Sequence, residues 1–376
     1  MSRARRFALV AGGGTGGHLV PALAVARTLA SSRPPGAVEL VGSRRGLDAE
    51  LLAGEPFPVT LLPGRGIARR LDPRTILRNL GAVGALLWAV VLALRIVASR
   101  RPDVVVAMGG YASVPVALAA LVWRVPVVLV NVDAVPGAAN RLVGRFAAAA
   151  AVAFPGTPLA RATVTGAPVR PEIAAAARPS IEDRLAARAA LGIPVERRVV
   201  AAVGGSLGAR RLNEAVLGLA GRWAGRTDVA LYHVTGRRDA PWADAAAGAL
   251  SLDGLWYRLV PYEAQMHLFY CAADVVLARA GANTVAELAV VGVPAVLVPL
   301  PGAPGDHQTA NARALSDAGA AVLLPDAQCT PERLGDVLDT MLGDGEELQA
   351  MRAAAAGLGH PDAVAAVAAL VETTAR

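Results

Sequence analysis

Two glycine-rich segments of this sequence have the residue types and spacing of an anion-binding turn between a strand and a helix. Residues 12–18 read Gly-Gly-Gly-Thr-Gly-Gly-His and residues 204–210 read Gly-Gly-Ser-Leu-Gly-Ala-Arg, each after a short apolar run. Glycine lets the backbone approach a phosphate or a sugar closely, and the helix that follows directs the positive end of its dipole at negative charge. In the second segment, the backbone amides and the hydroxyl of Ser206 suit a diphosphate.

His18 is a candidate proton acceptor at the end of the first segment. An imidazole exchanges a proton near neutral pH, as general-base catalysis requires. A histidine at a helix start also serves as a packed or capping side chain, and glycine turns also occur without a ligand. The segment differs from the dinucleotide-binding fingerprint, because no acidic residue ends the second predicted strand, where residues 40–44 read Leu-Val-Gly-Ser-Arg.

A third polar segment lies between residues 271 and 312. Glu287 falls on the first turns of a predicted helix, where a carboxylate can accept both hydroxyls of a ribose or can offset the positive end of the helix dipole. Gln308 and Asn311 lie in a proline-bounded loop, where their amides can bind sugar hydroxyls.

The elements that must position these motifs alternate between strands and helices. Continuous apolar runs are typical of parallel strands buried on both faces, and they occur at residues 7–11, 38–41, 104–108, 127–130, 199–203, 230–234, 275–278 and 295–298. Alanine- and leucine-rich stretches of helix length lie between them, for example at residues 21–30, 113–123, 212–221 and 284–291. The alternation predicts an α/β fold with two Rossmann-like, doubly wound parallel-sheet domains. The two glycine turns, one in each domain, suggest that the domains face a cleft with one side for each substrate.

The 376 residues are enough for two domains with separate cores. A stretch punctuated by glycine and proline, residues 166–170, is the predicted hinge. We expect an N-terminal domain at residues 1–165 and a C-terminal domain at residues 166–345. The remaining residues, 346–376, contain an alanine-rich run at 350–373 that predicts one closing helix, packed back on the N-terminal domain.

The composition excludes several classes of protein. The chain has no lysine, which removes Schiff-base lysines and the lysine-containing phosphate loop of common NTPases. Two cysteines are too few for a disulfide scaffold or a thiolate metal site, and no Asp-x-Asp metal-binding motif is present. Aromatic residues make up 4%, so we expect no nucleic-acid partner of the base-stacking kind.

The charge of the chain is distributed unevenly. Residues 1–165 carry 19 arginines and 7 acids, whereas residues 166–376 carry 18 arginines and 23 acids, which favours two domains with different partners. Within the basic half, residues 79–94 contain no charge. The arginines that flank this stretch are Arg65, Arg69, Arg70, Arg74, Arg78, Arg95, Arg100 and Arg101. It is shorter than the roughly 20 residues of a transmembrane helix, so it predicts either a buried helix or a helix whose outer face contacts anionic lipid.

Six ordered motifs carry a resemblance to a known family. They are Gly13-Gly-Thr-Gly-Gly-His18, Gly109-Gly-Tyr111, Gly166-x-Pro-Val-Arg170, Gly204-Gly-Ser-x-Gly-Ala209, Arg279-x-Gly-Ala-x-Thr-Val-x-Glu287 and His307-Gln-x-x-Asn311. In this order the chain resembles the bacterial UDP-N-acetylglucosamine transferases that convert lipid I to lipid II in peptidoglycan synthesis. The match runs over nearly the whole chain.

The resemblance implies the B-type glycosyltransferase fold and an inverting transfer of N-acetylglucosamine (GlcNAc) from UDP-GlcNAc without cofactor or bound metal. The acceptor would be the 4-hydroxyl of the N-acetylmuramoyl-pentapeptide (MurNAc-pentapeptide) of undecaprenyl-pyrophosphate-linked lipid I. The N-terminal domain would hold this acceptor and rest on the anionic cytoplasmic side of the cell membrane as a peripheral protein. The process would be cell-wall synthesis, and with it cell shape and division.

The resemblance also implies roles for individual residues. His18 would be the base, and Gly13, Gly14 and Tyr111 would contact the acceptor. Ser206 would bind the diphosphate, Glu287 the ribose, and the backbone near Glu263 the uracil. The full set of donor contacts would be Thr15, Gly16, Gly17, Asp133, Arg170, Gly205, Ser206, Glu263, Ala282, Asn283, Thr284, Val285, Ala286, Glu287 and Gln308.

The chain departs from the family pattern at three positions. Asn131 and Asp133 stand where the family usually has glutamate and asparagine, and Leu207 stands where it usually has glutamine. Three other functions therefore stay open at this stage. They are a related B-type transferase with another lipid or metabolite acceptor, a UDP-GlcNAc 2-epimerase, and a sugar-nucleotide-binding protein without turnover.

Overall fold

The computed structural model of the chain describes residues 6–13, 16–44, 55, 57–63 and 73–376, leaving aside the side chains of residues 73–81 and 83. The chain forms two compact units. One comprises residues Met1–Arg170 together with Asp362–Arg376, and the other comprises Pro171–Pro361. The predicted domain boundary after residue 165 lies five residues before the end of the first stretch.

The first unit is built on a sheet of seven parallel strands in the order β3-β2-β1-β4-β5-β6-β7. The strands are β1 (Ala8–Gly13), β2 (Val38–Ser43), β3 (Val59–Leu62), β4 (Val104–Gly110), β5 (Val127–Asn131), β6 (Ala149–Val152) and β7 (Ala162–Val164). The described helices of this unit are α1 (Gly16–Ser31), α2 (Pro73–Arg100), α3 (Ser113–Val122), α4 (Ala138–Gly144) and, from the end of the chain, α14 (Ala363–Thr374).

The second unit is built on six parallel strands in the order β10-β9-β8-β11-β12-β13. They are β8 (Arg198–Val203), β9 (Val229–Val234), β10 (Trp256–Val260), β11 (Val275–Ala278), β12 (Ala295–Leu297) and β13 (Ala321–Leu323). Its helices are α5 (Pro171–Ala175), α6 (Ile181–Ala190), α7 (Arg210–Arg222), α8 (Ala240–Ala247), α9 (Met266–Ala272), α10 (Ala282–Val291), α11 (His307–Ser316), α12 (Pro331–Gly343) and α13 (Gly345–Leu358).

The central strands are largely apolar because helices cover the sheets, although β2 contains Glu39 and β9 contains His233. Every residue of β1, β2, β5, β9 and β11 is buried, the pattern expected of a parallel sheet. In the first unit, Leu9 and Leu129 share a core with Ala93 of α2. In the second, Val200 and Leu231 share a core with Leu212 of α7. The predicted α/β fold with two parallel-sheet domains is confirmed, and so are all eight predicted strands.

The prediction of one closing helix over residues 350–373 is wrong. Residues 345–374 form two helices, α13 and α14, separated by Gly359-His360-Pro361-Asp362. Proline has no amide hydrogen and disfavours helix in the residue before it, and with Gly359 two residues ahead, Pro361 favours a break at this point. The stretch is long and apolar enough for a membrane span, but α13 packs on α10 in the second unit and α14 packs on α1 in the first.

Asp274 ties α6 to the start of two strands of the second unit. Its carboxylate is buried and accepts hydrogen bonds from Arg184, from Arg188 Nη2 at 2.8 Å and from the backbone amide of Val199 at 2.8 Å. We expect Asp274→Ala to lower the free energy of unfolding by about 3 kcal/mol, because two largely buried arginines lose their counter-charge. Denaturant unfolding measures this loss.

An exposed ion pair of the same unit provides the matched control. Asp336 accepts from Arg222 at 3.0 Å, but its side chain is 59% exposed, so solvent screens the pair. Asp336→Ala should cost under about 1 kcal/mol. Equal losses in the two variants would contradict the assignment of Asp274 as the anchor of α6.

Candidate active site

The strand order of the second unit predicts the position of a ligand site. From β8 the chain turns toward β9 on one side, and β11 lies on the other side of β8. In open parallel sheets, ligands bind at the carboxyl ends of the two strands between which the order reverses. The glycine segment 204–208 follows β8 and the segment 279–287 follows β11. Both predicted donor motifs therefore lie side by side at this reversal.

The glycine segment after β8 needs glycine for steric reasons. Gly205 and Gly208 have φ angles of +93° and +88°, in the left-handed region that favours glycine. A Cβ on Gly208 would lie 2.4 Å from the carbonyl oxygen of Thr235, and one on Gly236 would lie 2.1 Å from the amide nitrogen of Gly208. The turn is thus pressed against the loop that follows β9, and Ser206 stands exposed at its tip.

Two helix N-termini at this edge carry no side-chain cap. Ala209 precedes α7 and Gly281 precedes α10, and neither residue has a side chain that can accept a hydrogen bond. The first amides of a helix have no partner within the helix, and they carry the positive end of its dipole. Two such ends beside a glycine turn form an anion site that suits the two phosphates of a nucleotide diphosphate.

Glu287 lies in the second turn of α10, on the same side of the sheet reversal. It is 6% exposed, and its Oε2 accepts a hydrogen bond from the hydroxyl of Tyr270 at 3.0 Å. A carboxylate held in this way has a fixed orientation, which suits the recognition of a pair of neighbouring hydroxyls. The contiguous residues Ala282, Asn283, Thr284, Val285 and Ala286 form the first turns of the same helix.

The loop after β12 contributes two amide side chains with different surroundings. Gln308 is half-buried in the first turn of α11, and its Oε1 accepts from the backbone amide of Leu300 at 2.9 Å. Asn311 is fully buried and donates to the carbonyl of Ala280 at 3.2 Å. The prediction that Gln308 and Asn311 lie in a loop is therefore wrong, because both lie in α11. The binding of a sugar by either amide stays a prediction.

Glu263 follows β10, at the same edge of the sheet. Its side chain accepts from the hydroxyl of Tyr232 at 2.7 Å and from the backbone amide of Gln265 at 2.7 Å. Burial and the neighbouring carboxylate raise the pKa of Tyr232 well above its usual value, so the hydroxyl stays a donor. The side chain of Glu263 is thus engaged within the protein, and the assignment of the nearby backbone to uracil stays a prediction.

The first unit repeats the arrangement with other residues. Its strand order reverses between β1 and β4, and Gly13 pairs with Gly110 across that point. His18 lies on the first turn of α1 against the end of β4: a Cβ on Gly109 would lie 3.3 Å from its Nε2, and one on Gly110 would lie 2.9 Å from its Cδ2. The imidazole is half-buried. The candidate base thus lies at the ligand-binding edge of this sheet.

Two of the three departures from the family pattern, Asn131 and Asp133, lie at the end of β5 in the first unit, and the third, Leu207, is exposed in the 204–208 turn. Asn131 ends β5, is buried, donates to the carbonyl of Asp133 at 2.6 Å and accepts from Nδ2 of Asn140 at 2.9 Å. Asn140 also lies near β4, because a Cβ on Gly109 would be 3.1 Å from its Oδ1. Asn131 therefore fixes the loop that presents Asp133.

The remaining predicted site residues divide as follows. Tyr111 follows β4 and donates to the carbonyls of Pro63 at 3.0 Å and Ala85 at 3.2 Å, so its hydroxyl supports neighbouring backbone. Gly16 and Gly17 begin α1, and Arg170 is the last residue of the first unit's main stretch. Gly14 and Thr15 lie outside the described residues.

Among the described residues, no group of three or more histidine, cysteine, aspartate or glutamate side chains could hold a metal ion.

Sequence reasoning missed a buried polar cluster behind the glycine turn, formed by His233, Asn213, Thr235 and Asp239. All four are at most 5% exposed. A signal was present, because His233 interrupts an otherwise apolar strand, and a buried polar side chain needs partners. Tyr270, which orients Glu287, gave no such signal.

Comparison with known proteins identifies the class. Residues 8–152 match the glycosyltransferase family 28 N-terminal domain, and residues 199–367 match the family's C-terminal domain. Together with two parallel-sheet units of seven and six strands, this defines a glycosyltransferase of the B-type fold.

The sequence relatives narrow the class. The chain is 41% identical over 356 residues to a Nocardioides protein named UDP-N-acetylglucosamine–N-acetylmuramyl-(pentapeptide) pyrophosphoryl-undecaprenol N-acetylglucosamine transferase, covering 94% of each. A Moorella thermoacetica protein of the same name is 38% identical over 367 residues, covering 96% of each. The chain belongs to this family of N-acetylglucosamine transferases.

Solved structures agree at the level of the fold. Acinetobacter baumannii MurG matches with a TM-score of 0.78 and 29% identity, covering 98% of this chain and 99% of that one. A UDP-N-acetylglucosamine 2-epimerase matches with a TM-score of 0.63 at 14% identity, covering 96% and 94%. The second likeness shows a shared fold alone.

Proposed function

We propose that this protein transfers N-acetylglucosamine from UDP-GlcNAc to the MurNAc-pentapeptide of undecaprenyl-pyrophosphate-linked lipid I, giving lipid II. One observation carries the proposal. The sheet reversal of the second unit brings the 204–208 turn, two uncapped helix N-termini and Glu287 to one edge. That set matches the phosphates and the ribose of a nucleotide sugar, the donor that relatives at 41% and 38% identity use by name.

The chemistry follows from the charge that develops during transfer. As the bond between the anomeric carbon and the diphosphate breaks, the diphosphate takes the electron pair and its negative charge grows. In this proposal the amides of α7 and α10 and the Ser206 turn stabilise this charge without a cation. Because helix dipoles and fixed amides are oriented before the reaction, they need little reorganisation. We therefore propose a transfer that needs no bound divalent metal.

His18 acts as the base in this proposal. The 4-hydroxyl of the acceptor gives its proton to the imidazole while its oxygen bonds to the anomeric carbon on the face opposite the leaving UDP. The configuration at that carbon is then inverted. The backbone at Gly13 and at Gly110 can lie close to the acceptor's pyrophosphate, because neither residue carries a side chain that would occupy this edge of the sheet.

The test is a transfer assay with purified lipid I and UDP-GlcNAc. We expect lipid II with a β-linked N-acetylglucosamine, at a rate unchanged by EDTA. Formation of the 2-epimer from UDP-GlcNAc alone would support an epimerase instead. Transfer only to other lipids or metabolites would show that the acceptor is not lipid I. Binding of UDP-GlcNAc without formation of any product would indicate a sugar-nucleotide-binding protein without turnover.

We further propose that the first unit rests on the anionic cytoplasmic face of the cell membrane. Two helices share an exposed apolar surface, here called the apolar patch, formed by Leu87, Trp88 and Val91 of α2 and by Leu121, Val122 and Trp123 at the end of α3. Trp88 and Trp123 are each 51% exposed, and the indole of Trp123 donates to the carbonyl of Leu94, which joins the two segments. Exposed apolar residues concentrated in this way mark an interaction surface.

The charges around the apolar patch favour anionic lipid as its partner. Arg95, Arg101 and Arg124 are exposed, and Arg101 and Arg376 line a cavity of about 430 Å³ together with Trp123. Arginine beside apolar side chains suits the boundary between acyl chains and phosphates. Arg100, counted above with the flanking arginines, is instead turned inward to buried Glu39 at 2.9 Å. Arg65, Arg69 and Arg70 lie outside the described residues.

Replacing both tryptophans tests this surface. We expect Trp88→Ser with Trp123→Ser to lower the fraction bound to vesicles containing phosphatidylglycerol by about tenfold or more, because two amphipathic rings lose their contact with the acyl boundary. Flotation with anionic and with purely phosphatidylcholine vesicles measures the binding.

Ile181 is the matched control for that experiment, because it is 70% exposed on the second unit, outside the patch. Ile181→Ser should leave vesicle binding unchanged. Equal flotation of the unmodified protein with anionic and neutral vesicles would contradict the role of the arginines.

A further inference from the structure

A chain of hydrogen bonds runs through the second unit behind the 204–208 turn. Its centre is His233 on β9, whose side chain is fully buried. The Nδ1 of His233 lies 2.9 Å from the hydroxyl of Tyr257 on β10, and its Nε2 lies 3.1 Å from Oδ1 of Asn213 on α7. Residues from two neighbouring strands and one helix thus meet at one imidazole.

The partners define the tautomer of His233. The Nδ2 of Asn213 donates to the carbonyl of Thr235 at 2.9 Å and to Oδ2 of Asp239 at 3.2 Å, so Oδ1 of Asn213 faces the histidine as an acceptor. His233 must then donate from Nε2 and accept the Tyr257 hydroxyl hydrogen at Nδ1. Burial lowers the pKa of His233 to about 3, so the ring stays neutral and keeps this single arrangement.

From Asn213 the chain reaches the turn by two routes. In the first, Asn213 holds the carbonyl of Thr235, and the next residue, Gly236, packs directly on Gly208. In the second, Asp239 accepts from Nε of Arg238 at 2.9 Å, and Nη2 of Arg238 donates to the carbonyl of Gly208 at 3.2 Å. The backbone amide of Arg237 also donates to the carbonyl of Ser206 at 3.3 Å.

We infer that His233 and Asn213 are positioning residues for the donor diphosphate: they fix the loop after β9, and this loop fixes the amides of the 204–208 turn. The inference rests on the proposed function, which places the diphosphate at this turn. Neither residue touches the diphosphate in this account. Their effect reaches it through the backbone of Thr235 and Gly236 and through the Asp239–Arg238 ion pair.

Three variants test the inference against a merely structural role. His233→Leu removes both hydrogen bonds, and His233→Gln keeps an amide that can donate toward Asn213. Arg238→Gln removes the second route, the hydrogen bonds of Arg238 to Asp239 and to the carbonyl of Gly208. Because Arg238 is exposed at the protein surface, its loss leaves the fold intact. The measurements are dissociation constants for UDP by calorimetry and for uridine by ligand-observed NMR, together with kcat and KM for UDP-GlcNAc.

We expect His233→Leu to weaken UDP by about tenfold and uridine by less than about twofold, because only the phosphates meet the displaced turn. His233→Gln should restore UDP affinity to within about threefold of the unmodified protein, and KM for UDP-GlcNAc should rise more than kcat falls. Arg238→Gln should also weaken UDP selectively. If His233→Leu does not fold, Arg238→Gln alone decides.

Two outcomes would overturn the inference. Equal weakening of UDP and uridine would show that the cluster supports the whole domain rather than the turn. Unchanged UDP affinity in His233→Leu or, where that variant does not fold, in Arg238→Gln would show that the turn is fixed without this cluster. A failure of the unmodified protein to bind UDP would instead contradict the proposed function, so the two are distinguishable.

Discussion

Replacing His18 with alanine is expected to lower kcat for lipid II formation by about a thousandfold. A positioned general base contributes roughly 10²- to 10⁴-fold to a rate, and the 4-hydroxyl of a sugar is too weak a nucleophile without one. His18 lies at the reversal point of the first sheet, beside Gly109 and Gly110. Because the 204–208 turn belongs to the other unit, the affinity for UDP should stay unchanged.

Two further variants sharpen that experiment. His18→Gln keeps a planar polar side chain but has no group that accepts a proton, so kcat should fall nearly as far as in the alanine variant. His360→Ala is the matched control, because this histidine is exposed in the second unit between α13 and α14, and its rate should not change. A His18→Ala enzyme with normal turnover would exclude this residue as the base.

Replacing Glu287 with alanine is expected to weaken UDP-GlcNAc by about a hundredfold. The carboxylate is nearly covered and held by Tyr270 at 3.0 Å, so it offers charge-assisted hydrogen bonds in fixed directions. Such bonds are worth about twice those between neutral groups. Glu287→Gln keeps the size of the side chain without its charge, so it should fall between the unmodified protein and the alanine variant. Calorimetry measures each affinity.

If Glu287 binds the ribose hydroxyls, replacing it should also remove the preference for UDP over 2′-deoxy-UDP. The unmodified protein should bind UDP more tightly than 2′-deoxy-UDP, and Glu287→Ala should bind the two alike, because the partner of the missing hydroxyl is gone. Glu346→Ala, which removes an exposed acid from the first turn of α13, should leave both affinities unchanged. A preference for UDP that persists in Glu287→Ala would contradict the assignment.

The sequence predicted strands well where local pattern and burial agree. β1, β4 and β5 are continuous apolar runs, and they were predicted because a strand buried on both faces needs no alternation. β6 is alanine-rich and reads equally as helix, while β7 is exposed along its whole length. β10 is only partly buried. These strands pair through contacts that the local sequence does not carry.

In the candidate site, too, features carried by the local sequence were predictable and features formed by distant residues were not. Glycine turns and the Glu287 helix were predictable, because each motif is contiguous and its chemistry is local. The cluster around His233 was not, since its partners Asn213 and Tyr257 lie 20 and 24 residues away along the chain. Gln308 and Asn311 were predicted in a loop but lie in α11, and sequence alone could not show that the amide of Asn311 is buried against Ala280.

The split of the C-terminal helices has a consequence for synthesis of the protein. α14 contacts α1, β4, β5 and β6, so the first unit needs residues 362–376 to cover its sheet. A ribosome makes residues 362–376 after the whole of the second unit, which is one uninterrupted stretch. The first unit is therefore completed only after the second, and until then its apolar sheet stays partly open to chaperones and proteases.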